Sequence, residues 1–121
     1  MTNSEPLTRE QMTAEMRRTA YQRKAVSRMP ASDTLDFAIA FFTERGYRSG
    51  RTGRPNQAFV MGGREGLLPR VTGEIKVQAD VGKGKVTMVT MDATGEKLGP
   101  TMEEFAKALR AKRAEAQKES S

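Results

Sequence analysis

From Val71 to Val81 the chain alternates strictly. Val71, Gly73, Ile75, Val77, Ala79 and Val81 are interleaved with Thr72, Glu74, Lys76, Gln78 and Asp80. Side chains along a strand point alternately to opposite faces, so this run specifies a strand with one face buried and the other in water. Gly82-Lys83-Gly84 reads as a hairpin turn, and Lys85 to Asp92 returns as a second strand. Val86 and Met88 fall on one face of that strand and Val89 and Met91 on the other, with Asp92-Ala93-Thr94-Gly95 as the next turn. Upstream, Gln57 to Met61 reads as a strand stopped by Gly62-Gly63. Sequential strands joined by short turns imply a three-stranded antiparallel meander.

Two helical patterns supply the cover for its apolar face. Leu35, Ile39 and Phe42 form a stripe that Phe37, Ala38 and Phe41 widen, with Ser32 or Asp33 as the expected cap. Gly46 is placed as a left-handed stop, and Tyr47 as the hydrophobic contact that follows it. Tyr47 to Asn56 is a polar, arginine-rich link whose first residues allow a short strand. Pro100-Thr101 opens the last helix, Thr101 and Glu104 having capping-box spacing, and Met102, Phe105, Ala106 and Leu109 face inward. The stretch from Leu7 to Arg28 has helix-forming composition with Met12, Met16 and Ala20 at helical spacing, a stripe too thin for a core helix. Residues 1–6 are polar and expected to be unstructured. The fold class is therefore α+β, a three-stranded antiparallel meander with two helices on one face and an N-terminal helical arm. The expected division is a basic arm over residues 1–30, a compact domain over 31–112 and a charged tail over 113–121.

Composition removes much chemistry. The 121 residues include no Cys and no His, so disulfides, thiol nucleophiles, imidazole bases and the usual zinc and haem ligands are excluded. No cofactor is implied. The N-terminus lacks an apolar signal core, and no apolar run approaches the roughly 20 residues of a membrane span, so a cytoplasmic protein is expected. Carboxylates remain as acid–base candidates. Asp33, Asp36, Glu103 and Glu104 stand at helix starts, Asp80 and Asp92 at strand ends, and Glu74 on the wet sheet face. Capping and turn duty account for all but Glu74, and a non-enzymatic chain is expected unless Glu74, Asp80 and Asp92 converge in one pocket.

The phrase Asp36-Phe37-Ala38-Ile39-Ala40-Phe41-Phe42-Thr43-Glu44-Arg45-Gly46-Tyr47-Arg48, followed by Ala58-Phe59-Val60, resembles the opening of small bacterial helix–meander–helix domains of unknown function. The resemblance covers about residues 33–110. Many such domains carry a hydrophobic membrane hairpin between the first two strands. This chain has only Gly62 to Pro69 there, so the resemblance implies a fold without an anchor and without an activity.

The net charge is +6, and its excess lies in two zones. Arg9, Arg17, Arg18, Arg23, Lys24 and Arg28 face only Glu10 and Glu15 in the arm. Arg45, Arg48, Arg51, Arg54, Arg64, Arg70 and Lys76 face Glu44, Glu65 and Glu74 in the middle. Nearly all of this charge is arginine, whose planar fork suits phosphate or carboxylate. Gly50-Arg51-Thr52-Gly53 matches the GXXG of KH domains, but a strand follows where that loop needs a helix. An inserted Thr52 spoils an AT-hook core. Gly82-Lys83-Gly84-Lys85 reads as a hairpin before it reads as a phosphate contact. The candidate contacts for an anionic partner are Arg17, Arg18, Arg23, Lys24, Arg28, Arg48, Arg51 and Arg54. The expected function is a small non-catalytic binding or accessory protein that engages an acidic partner, protein being favoured over nucleic acid for want of an aromatic stacking platform. Sequence-nonspecific nucleic-acid binding and a homodimeric structural domain, paired through open sheet edges, are the alternatives.

Overall fold

The computed structural model describes residues 8–65 and 68–119, with side chains through Lys112. The elements run α1 (Arg9–Arg18), β1 (Ala20–Ser27), α2 (Ala31–Glu44), β2 (Arg48–Arg51), β3 (Gln57–Gly62), β4 (Val71–Val81), β5 (Val86–Thr94) and α3 (Leu98–Glu119). The α+β class holds, but the sheet has five strands in the order β1-β5-β4-β3-β2, all neighbours antiparallel. It is not a three-stranded meander. The expected strands β3, β4 and β5 form its centre, and two more strands extend it on both sides.

The first correction is β1. Residues 20–27 were expected to continue a helical arm. They pair instead with β5 along their whole length, from Ala20 opposite Thr94 to Ser27 opposite Thr87. The helix before them is real but short. Thr8 caps it, its hydroxyl accepting from the Gln11 N–H while the Gln11 side chain accepts from the Thr8 N–H. It stops at Thr19, whose hydroxyl donates to the Glu15 carbonyl and accepts from the Gly95 N–H, fastening the start of β1 to the end of β5. Tyr21, Arg23, Ala25 and Ser27 then face the helices. The far end of β1 is held as well. Ser27 and Thr34 share a buried hydroxyl hydrogen bond of 2.7 Å, and the Thr87 hydroxyl donates to the Met29 carbonyl.

The short strand that the link after Tyr47 allows forms as β2, in which Arg48 to Arg51 pair with Met61 to Ala58. Glycine makes this possible at Gly50, because the Phe59 ring lies across its position, 3.2 Å from where a Cβ would sit.

α2 packs under β2, β3 and β4, and α3 under β1, β4 and β5. Leu35, Ala38, Phe41 and Phe42 of α2 meet Val60, Val71, Ile75, Val89 and Met91 of the sheet and Leu98, Met102, Phe105 and Leu109 of α3 in one core. Phe105 is its hub. Its ring lies 5.7, 5.4 and 5.5 Å from those of Phe37, Phe41 and Phe42. α2 ends as expected. Gly46 has φ 92°, its N–H donates to the Thr43 carbonyl, the Tyr47 N–H donates to the Phe42 carbonyl, and the two rings touch.

The helix starts differ from expectation. α2 begins at Ala31 behind Pro30 without a side-chain cap, and Ser32 and Asp33 lie inside it. α3 begins at Leu98. The Thr101 hydroxyl donates back to the Lys97 carbonyl, and Glu104 reaches Arg45 instead of closing a capping box. β4 keeps its alternation from Val71 to Gln78, then loses it at a register shift before Val81, where Asp80 has φ 56°. β5 runs on to Thr94, beyond the turn expected at Asp92. The α3 backbone stays helical to Glu119. The expectation of unstructured residues 1–6 lies outside the described residues, as do Gly66 and Leu67 of the expected loop.

Phe105→Ala is expected to lower stability by about 3–5 kcal/mol, because it empties the centre of the core. Gly73→Ala is expected to destabilise through overpacking, since its Cβ would meet the Met102 methyl at 2.7 Å and the Asp92 carbonyl at 3.0 Å. Urea unfolding midpoints of both variants against wild type measure these effects.

Candidate binding surface

The backbone hydrogen bonds fix which groups the sheet edges leave open. In an antiparallel pair, residues alternate between bonding one neighbour and facing the other. The Val77 N–H donates to the Asn56 carbonyl, and the Thr52 N–H to the Gln57 carbonyl. Carrying that alternation across the registers, β4 bonds β5 through Thr72, Glu74, Lys76 and Gln78, and β5 bonds β1 through Thr87, Val89, Met91 and Ala93. Tyr21, Arg23, Ala25 and Ser27 of β1 are thereby engaged. Ala20, Gln22, Lys24 and Val26 turn their N–H and C=O groups away from the sheet, and no hydrogen bond to them occurs among the described residues. By the same alternation Ser49 and Arg51 face outward from β2.

The sheet face opposite the helices is built of cross-strand rows. Arg48, Met61, Thr72, Thr94 and Ala20 form one, and Gly50, Phe59, Glu74, Asp92 and Gln22 the next. Gln57, Lys76, Thr90 and Lys24 follow, and then Gln78, Met88 and Val26. A shallow groove of about 530 Å³ crosses it, with Met16 of α1 on one side and Phe59, Met61, Glu74, Asp92 and Gln22 along it. Glu74 and Asp92 are neighbours there. Asp92 accepts from the Gln22 amide at 2.7 Å, and Glu74 faces the Lys76 ammonium at 3.7 Å. Asp80 lies at the far end of β4, so the three carboxylates do not converge in this groove. Among the described residues no group of three or more His, Cys, Asp or Glu is placed to hold a metal ion.

The eight basic residues chosen from the sequence divide into two sets. Arg18 is paired with Glu15 at 2.7 Å and Glu96 at 3.1 Å. Arg23 faces α3 and is paired with Glu103. Arg51 folds onto α2, donating to the Ser32 carbonyl and hydroxyl and to Asp36 at 2.9 Å. These three arginines tie elements of this chain together. Arg17, Lys24, Arg28, Arg48 and Arg54 are exposed and make no ion pair among the described residues. Arg45, outside this set of eight, lies 3.5 Å over the Phe41 ring and reaches Glu104.

Sequence reasoning missed the Tyr21–Arg23–Glu103 cluster. The Tyr21 hydroxyl donates to Glu103 at 2.5 Å, and Arg23 donates to its other oxygen. Tyr21 and then Arg23 hold the Glu103 carboxyl below the ordinary value of 4.5. Burial, and next the adjacent carboxylate, push the Tyr21 hydroxyl above its ordinary value. Glu15 is likewise held low by the Arg18 hydrogen bond. The alternation of Tyr21 with Arg23 carried the signal, because in a strand both point to one face, where a carboxylate from α3 meets them.

No protein-family model matches the chain, and no curated protein sequence matches it. Among solved structures, the chain is similar to DR_A0006 from Deinococcus radiodurans, a Northeast Structural Genomics Consortium target. The TM-score is 0.42 and the identity 12%, covering 80% of this chain and 97% of that one. No helix among the described residues is long and apolar enough to cross a membrane.

The two lowered carboxyls set a pH dependence. Their folded values lie below the unfolded value near 4.5, so their contribution to stability is full above that pH and is lost as the pH falls through the folded values. Urea midpoints are expected to drop as the pH falls below the ordinary carboxyl value of 4.5, and Glu103→Gln is expected to flatten part of that drop. A slope identical to wild type in Glu103→Gln would show that this cluster contributes nothing to it.

Proposed function

We propose that this chain is a non-catalytic binding module that engages an acidic protein partner through the basic zone around β1. One observation carries the reading. Once Arg18 and Arg23 are accounted for by Glu15, Glu96 and Glu103, Arg17, Lys24 and Arg28, which precede, occupy and follow a sheet edge with open backbone groups, make no ion pair among the described residues. Charges already paired within the fold must lose a partner before they gain one. Unpaired exposed cations attract an anionic surface without that cost and speed its encounter.

A protein fits better than a nucleic acid because of what lies beside these charges. The outer face offers one ring, Phe59, between Gly50 and the carboxylates of Glu74 and Asp92. Those carboxylates repel a phosphate backbone where a base would stack.

The test compares wild type with an Arg17→Glu, Lys24→Glu, Arg28→Glu variant as bait in nuclease-treated lysate. An acidic protein is expected on wild type and absent from the variant. A mobility shift of single-stranded or duplex nucleic acid at about 50 mM salt, lost when Arg48 and Arg54 become Ala, would instead support nucleic-acid binding. Arg51 is left in place in that variant because it holds Asp36.

A further inference from the structure

The two open edges of the sheet are unequal. β2 is four residues long and leaves Ser49 and Arg51 facing outward, with the Arg51 side chain committed to α2. β1 is eight residues long, and Ala20, Gln22, Lys24 and Val26 present both backbone groups along one line. Such an edge is a template for another strand, and proteins protect it with charge, bulges or brevity. Of those devices β1 carries charge alone, since its pairing with β5 runs without a register shift from Ala20 to Ser27.

We infer that β1 accepts an extended acidic segment of a partner protein as a sixth strand, bonded to the backbone of Gln22 and Lys24 and read by the charge of Lys24, Arg17 and Arg28. The inference rests on the acidic-partner reading and names its binding mode. Backbone bonds to a sheet edge supply affinity without regard to sequence, and side chains at alternate positions supply selection. An added strand places every second side chain on the outer face beside Lys24, and the others on the helix side beside Tyr21 and Ala25. The sequence pattern that fits is acidic residues alternating with apolar ones.

The same charges argue against a second copy of this chain. Pairing β1 with β1 would bring two sets of Arg17, Lys24 and Arg28 to one seam, with Arg23 of each already matched to its own Glu103. Like charges facing across a strand pair destabilise it. One device thus rejects self-association and admits an acidic segment.

The probe is the heptapeptide acetyl-Val-Glu-Val-Glu-Val-Glu-Val-amide, titrated into the full-length, isotope-labelled protein and followed by backbone NMR. Comparison peptides carry Lys in place of Glu, or N-methyl groups on alternate residues in each of the two alternations. The acidic peptide is expected to shift the Gln22 and Lys24 amides and slow their hydrogen exchange by about tenfold or more, while the Lys peptide does not bind. One of the two N-methylated peptides is expected to bind at least about tenfold more weakly, because it lacks the N–H groups facing β1. Lys24→Glu is expected to abolish binding, and Lys24→Gln to weaken it, both with spectra otherwise unchanged.

Equal binding of both N-methylated peptides, or shifts confined to other elements, overturns strand addition. No binding of the acidic peptide at about 1 mM overturns it too. In either case the acidic-partner reading is decided separately, by whether the charge-reversed bait loses its protein.

Discussion

A single parity governs this sheet. Because side chains and backbone groups both alternate with a period of two, the choice that sends Ile75 and Val77 toward the helices also decides which backbone groups bond which neighbour. Carried from β4 through β5, it puts Tyr21, Arg23 and Ala25 against α3 and leaves Gln22 and Lys24 as the open groups of the edge. A slip of one residue would exchange the two sets. It would turn Val89 and Met91 to water and aim Lys24 at the core. The packing of Phe105 against the three α2 rings secures the helix layer that makes such a slip costly.

Arginine plays two opposite parts in this molecule. Arg18, Arg23, Arg45 and Arg51 act as ties between elements, each donating to a carboxylate or resting on a ring of the same chain. Arg17, Lys24, Arg28, Arg48 and Arg54 make no such ion pair among the described residues. The formal charge of +6 therefore overstates how concentrated the attractive surface is, and the division between tying and free residues matters more than the sum.

Much of the sheet was legible in the sequence because its central strands are buried on one face only. Alternation announced β4, the glycines of the turn announced β5, and the Gly46–Tyr47 helix stop was read correctly to the residue. β1 was hidden because Gln22, Arg23 and Lys24 are good helix formers, and because its inward row contains an arginine where a pattern search looks for an apolar residue. The helix caps failed for a related reason. Ser32 and Glu104 have the right spacing, but Arg51 and Arg45 claim them from other elements. The candidate site was legible as charge and not as geometry. Arg51 and Arg23 find their carboxylates 15 and 80 residues away along the chain, and Arg18 adds Glu96, 78 residues away, to its local partner Glu15, so a local window shows only part of which cations are already spent.

The fastenings at the two ends of β1 carry a mechanical consequence. Thr19 holds its start to Gly95, while the Ser27–Thr34 bond and the Thr87 hydroxyl on the Met29 carbonyl hold its finish to α2 and β5. A strand laid along this edge would load β1 lengthwise. All the bonds to β5 would then share the force in shear, whereas an edge strand loose at one end would peel open bond by bond. Three threonines and a serine thus make the outermost strand of the sheet a fixed rail.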